Sequence, residues 1–220
     1  MKRYGILSVA FLLLVSCSKT ESDTLIISEG ECIEKIAVKQ DTHRVSDADY
    51  TATTRLFQQN SIPLQGLRIV QYDTETIILN GVSNSYVHIK VAQYSGDLPF
   101  FYGEIGYHFK DGKFYYLSGD KLTTTLSPVG KLPLRAVRTL YFKAFATYNQ
   151  QRNFYKAADF MNKCVDAELG YYPVKTSSTP TKIVRAWHVT PKGKQYPEAY
   201  IDDENSETIY FFDGIMSLSK

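Results

Sequence analysis

Apolar and polar residues alternate with period two over residues 86–94, where Val87, Ile89 and Val91 fall on one side and His88, Lys90 and Ala92 on the other. That period puts successive side chains on opposite faces of a strand, one dry and one wet. The alternation returns at Ile105, Tyr107 and Phe109, Asp111-Gly112 supplies the positive φ angles of a tight turn, and residues 113–118 run back as the second arm of a hairpin. Further extended segments are predicted over residues 67–72 and 76–80. Upstream the period changes: Tyr50, Thr53 and Phe57 share a helical stripe, which predicts a helix over 47–59. Ser46 followed by Asp49 reads as a capping box, and Asn60 and Pro63 end the helix.

Residues 119–131 shift to Thr, Ser, Gly and Pro, the composition of a boundary loop. Beyond them Leu134, Val137, Tyr141, Ala144, Phe145 and Tyr148 recur at helical spacing and predict a second helix with a broad apolar face. A shorter helical pattern over 153–167 carries Phe154, Ala157, Met161 and Val165, with Gly170 placed to close it. Extended segments are then expected at 169–174, 182–190, 198–202 and 208–213. Each half therefore reads as a helix followed by antiparallel strands. The expected fold is α+β, two helix-on-antiparallel-sheet units.

Composition agrees with that pattern, since 17 Tyr, 12 Phe and 1 Trp in 220 residues suit pleated, half-buried surfaces. The N-terminus adds a compartment. Lys2 and Arg3 precede an apolar run from Ile6 to Val15, about half of the ~20 residues a membrane-spanning helix needs, and Leu14-Val15-Ser16-Cys17 follows as in a bacterial lipoprotein signal. The expectation is a signal peptide over 1–16, a diacylated Cys17 as the new N-terminus, and a polar tether over 17–45. Residue 18 is Ser rather than Asp, which resembles lipoproteins passed on to the outer membrane or the cell surface. Without Lys2 and Arg3 the 25 basic residues become 23 against 23 acidic ones. A neutral chain gives no electrostatic case for a nucleic-acid partner.

Cys32 and Cys164 remain besides Cys17; outside the cytoplasm they either pair or sit as separate buried thiols, and their separation in sequence decides neither. No His-Glu-x-x-His, Gly-x-Ser-x-Gly, phosphate-binding glycine loop or Cys-x-x-Cys occurs, and His43, His88, His108 and His188 read as strand or linker residues. The expectation is a protein with no catalytic residues, no metal and no cofactor, although a site assembled from distant positions would leave no such motif. Asp202-Asp203-Glu204 could ligate calcium, but reads better as a solvated turn. Phe100-Phe101-Tyr102 is the candidate partner-binding platform, but core packing of at least one ring reads better.

Residues 87–99, Val-His-Ile-Lys-Val-Ala-Gln-Tyr-Ser-Gly-Asp-Leu-Pro, followed by Ile105–Phe109, Asp111-Gly112-Lys113 and Ser118-Gly119, resemble the core of the fungalysin/thermolysin propeptide (FTP) domain. Leu56-Phe57-Gln58-Gln59-Asn60 looks like the helix that opens it. Tyr171-Tyr172-Pro173, Val184-Arg185-Ala186-Trp187-His188-Val189 and the stretch 199–208 resemble the PepSY module that follows it in secreted metalloprotease prosegments. The resemblance spans about 170 residues. It departs from the family in the seven-residue step from Gly96 to Gly103 and in Ser206, where glycine is usual. It implies an FTP-like domain over 46–120, a linker over 121–132 and a PepSY-like domain over 133–220, both cystatin-like. The expectation is a prosegment-like body with no peptidase domain after Lys220. The implied function is a membrane-anchored, prosegment-like protein that inhibits or chaperones a secreted protease in trans; the alternative is a surface lipoprotein that binds a glycan or peptide.

Overall fold

Ser46 does what its position predicts. Its hydroxyl oxygen accepts the Asp49 backbone N–H at 3.2 Å and donates to the Asp49 carboxylate at 2.7 Å, which starts α1 (Asp47–Gln59). The computed structural model describes residues 32–36, 43–152, 163–176 and 179–214. Asn60 ends α1 and ties it down: its amide donates to the Leu56 and Gly112 carbonyls, and its side-chain oxygen accepts the Phe114 N–H. One residue thus fixes the helix end against the turn of a distant hairpin.

The first sheet has the order β2-β3-β5-β6, formed by β2 (Leu67–Leu79), β3 (Val82–Ser95), β5 (Ile105–Lys110) and β6 (Lys113–Ser118), with β4 (Leu98–Pro99) paired to β3. Phe57 of α1 packs on Ile69, Ile89, Val91, Ile105, Tyr107 and Phe109, so the dry sides of the alternating strands form one core. The Asp111-Gly112 turn has φ of 49° and 76°, as a tight hairpin requires. Residues 67–72, 76–80 and 86–94 belong to a single long hairpin instead of three short segments, because Asn80 and Gly81 turn it with φ of 52° and 78°.

The second sheet has the order β1-β7-β8-β9-β10, with β1 (Ile33–Ile36), β7 (Val165–Thr176), β8 (Thr179–Pro191), β9 (Glu198–Asp202) and β10 (Thr208–Phe212). α2 (Leu134–Arg152) lays Val137, Tyr141 and Phe142 on Val165, Leu169, Trp187, Val189 and Ile201. The α+β reading holds at this level, although strands dominate.

Three expectations change. Residues 33–36 are not tether: they form β1, parallel to β7, held where Cys32 and Cys164 join in a disulfide. Val165–Ala167 is not the end of a helix but the start of β7, since Val165 and Ala167 alternate into the core; residues 153–162 of that expected helix lie outside the described residues. The stretch 121–132 lacks regular structure, but it is strapped down. Tyr171 donates to the Leu126 carbonyl, Arg185 to the Ser127 carbonyl, and the Asp203 carboxylate accepts the Lys131 and Leu132 N–H groups.

Candidate functional site

The wet side of the first sheet carries most of its chemistry. Cross-strand register places Asp73, His88, His108 and Tyr116 in one row, and Lys90, Gly106 and Ser118 in the next. His88 Nε2 lies 3.1 Å from Glu75 Oε1, the two Nδ1 atoms of His88 and His108 lie 2.6 Å apart, and His108 Nε2 lies 3.0 Å from Ser118 Oγ. An ionised Glu75 only accepts, so His88 carries its proton on Nε2. With both imidazoles neutral, His88 Nδ1 must then accept from His108 Nδ1–H, which leaves His108 Nε2 to accept the Ser118 hydroxyl. Protons therefore point one way, from serine to carboxylate. Burial, and secondly the positive charge His88 can carry, push His108 below the ordinary imidazole range, which favours its neutral form.

Gly106 makes this geometry possible. A Cβ there would come within 2.5 Å of Ser118 Oγ and 2.9 Å of His108 Nε2. The bare backbone floors a cavity of about 480 Å³ lined by His88, Lys90, Glu104, His108 and Ser118 among others. Lys90 faces Glu104 at 3.4 Å on its rim. The Tyr116 ring stacks on His108 with centroids 4.0 Å apart and planes 9° from parallel. Tyr116 belongs to β6, an edge strand on which Phe114, Tyr115 and Tyr116 are 45%, 63% and 46% exposed.

The sequence-predicted platform is elsewhere. Phe100 and Phe101 are buried, as core packing predicts and an exposed partner-binding platform does not: the loop after β4 docks on the second sheet, with the Phe101 N–H donating to the Tyr171 carbonyl at 2.8 Å. Phe101 lies against Gly170, His188 and Tyr200, and Phe100 against Tyr171. Both rings hold the two sheets together. Tyr102 is exposed on its ring, while its hydroxyl turns into the same seam and donates to Glu198 at 3.2 Å. Glu198 also pairs with His188 Nε2 at 2.7 Å. Gln93 completes the seam from the other side: its amide donates to the Gly103 and Asp120 carbonyls and its oxygen accepts the Leu122 N–H.

The acidic turn is only partly solvated: Glu204 is exposed, but Asp202 and Asp203 are buried and turned to hydrogen bonds within the fold. Asp203 is buried against Arg185 and Trp187, and Asp202 accepts the Glu204 and Asn205 N–H groups to close the turn. His43, before α1, packs its ring tilted against Tyr50 of that helix. Cys17 lies outside the described residues. Among the described residues no group of three or more His, Cys, Asp and Glu side chains is arranged to hold a metal ion, and no helix is long and apolar enough to cross a membrane.

The relay from Ser118 to Glu75 was missed by the sequence reading. Alternation placed His88 on a wet face, but its neighbour His108 depends on the pairing of β3 with β5, which no local motif announces.

No family model and no curated protein matches the chain. Among solved structures, the Bacillus megaterium YpeB C-terminal domain is similar over 82% of this chain and 70% of that one, with 11% identity and a TM-score of 0.36. A likeness that slight carries no argument about function.

Proposed function

We propose that this chain is a prosegment-like binding protein, moored through Cys17 at the outer membrane or cell surface, which holds a secreted metalloprotease in trans. The β6 edge carries the reading. An edge strand offers unpaired backbone N–H and C=O groups, and proteins ordinarily blunt such edges with charge or cover. β6 instead presents three successive aromatic rings beside its open edge. A partner strand added there gains main-chain bonds from β6 and ring contacts from Phe114, Tyr115 and Tyr116. The resemblance to protease prosegments supplies the class of partner.

The test titrates the purified full chain against secreted thermolysin-type metalloproteases. Activity should fall, or refolding yield rise, and the Tyr115→Lys variant should lose the effect. Tyr115 is exposed, so this substitution should leave stability within about 0.5 kcal/mol. Absence of any effect on every protease tried overturns the proposal. Retention on a glycan array that Tyr115→Lys abolishes, with no effect on proteases, puts the glycan-binding lipoprotein in its place.

A further inference from the structure

We infer that the outer face of the first sheet is an acyl-transfer site for small carboxylic esters, with Ser118 as nucleophile, His108 as its general base, and His88 and Glu75 as positioning residues. The inference is independent of the proposed protease partner. It rests on one chain of contacts, Ser118 Oγ to His108 Nε2 at 3.0 Å, His108 Nδ1 to His88 Nδ1 at 2.6 Å, and His88 Nε2 to Glu75 at 3.1 Å. A hydroxyl within reach of a base, which a third group orients in turn, is the arrangement that activates a serine. The proton order derived above leaves His108 Nε2 with the free lone pair such a base needs.

A place for substrate exists beside it. Lys90, Gly106 and Ser118 stand in one cross-strand row, so Lys90 and Ser118 flank a strand whose residue there has no side chain. With strands ~4.8 Å apart, their backbones are separated by roughly 10 Å; Ser118 Oγ and His108 Nε2 fill the position over Gly106, so an ester carbonyl would lie on the outer side of these two atoms, between them and Lys90. The cavity volume of about 480 Å³ is within the range of small-molecule sites, ~300–1,000 Å³. Lys90 is the cation on this wall for the developing oxyanion.

The steps balance. Ser118 Oγ bonds to the carbonyl carbon while His108 Nε2 takes the hydroxyl proton. The tetrahedral species collapses, the C–O bond to the alcohol breaks, and the alkoxide leaves with that proton. Water then attacks the acyl-serine, gives a proton to His108, and releases the acid as Ser118 recovers the proton.

The experiment treats the purified full chain with a fluorophosphonate, which phosphonylates activated serines. One adduct should map to Ser118, vanish in Ser118→Ala, and form about 100-fold more slowly in His108→Gln. Replacing His88 by Gln should raise the midpoint of the pH–rate profile, because it removes the imidazole whose positive charge, once protonated, opposes protonation of His108; loss of fold would not move that midpoint. Gly106→Ala should block labelling, because its Cβ would push Ser118 Oγ and the His108 ring apart. No adduct at Ser118 in protein whose circular dichroism is native overturns the inference. So does labelling of His108→Gln at the unsubstituted rate, or p-nitrophenyl acetate turnover that persists in Ser118→Ala.

Discussion

Asp203 sits fully buried and still ionised, because four donors meet its two oxygens: Arg185 Nε at 2.6 Å, Trp187 Nε1 at 2.7 Å, and the Lys131 and Leu132 N–H groups at 2.7 and 3.0 Å. Burial alone would raise its carboxyl, but these bonds outweigh burial and hold it below the usual range. A depressed carboxyl contributes stability that is present above the unfolded value, about 3.9, and is lost as pH falls through the lower folded one. Asp203→Asn keeps the shape but turns an amide donor toward Arg185, which is 2% exposed and has no other buried carboxylate among its partners. Urea unfolding should show a loss of about 3–5 kcal/mol at neutral pH, and the variant's stability should fall less between pH 4 and 2 than that of the unsubstituted protein. An unchanged urea midpoint would mean that the linker strap contributes little.

At the scale of elements, legibility followed locality. α1 was readable to the residue because its cap, stripe and stop all lie within the same short stretch, and the β5–β6 hairpin because Asp111-Gly112 sets its turn. β1 was not readable. Ile33-Glu34-Lys35-Ile36 has two apolar residues among charges, and only its parallel register with β7 makes it a strand. The relay failed for the same reason, with His88 and His108 brought together by a strand pairing across twenty positions of sequence. For the rings at 100–102 the sequence favours core packing of at least one, but it does not show which ring is buried, because that depends on the slot that Gly170 opens for Phe101. β1 also suggests its own test. Four residues of edge strand order little surface, so the Cys32–Cys164 link is what holds them, across a separation of 132 residues. Replacing both cysteines by serine should cost about 2–5 kcal/mol, and hydrogen exchange should show protection lost first at Ile33–Ile36. If those amides stay protected, β1 is held by its ladder and not by the link.

Across the whole molecule, the two sheets meet where Phe101 fills the space over Gly170. A Cβ on residue 170 would come within 2.6 Å of that ring and 2.8 Å of the Pro99 carbonyl, so the approach depends on the missing side chain. Around this contact stand Tyr102, Tyr172, Tyr200 and Tyr210, with Glu198 among them. All four phenols are raised, chiefly by burial, with the negative charge of Glu198 adding to it; Tyr102 is pushed up to about 12 by burial first and by the carboxylate that its oxygen faces. A phenol raised in the fold stays protonated there while the unfolded chain ionises near 10. The stability it contributes is therefore complete below pH 10 and disappears as pH climbs to about 12. Thermal midpoints measured from pH 9 to 12 should fall steeply over that window, with part of the tyrosinate absorbance rising only as the fold is lost. Glu198→Gln removes the charge that opposes ionisation at the seam, so its tyrosinate transition should begin at lower pH while the fold is still intact. A normal tyrosine titration in the unsubstituted protein, complete near pH 10 with the fold retained, would show that these rings meet water and that the sheets are not joined here.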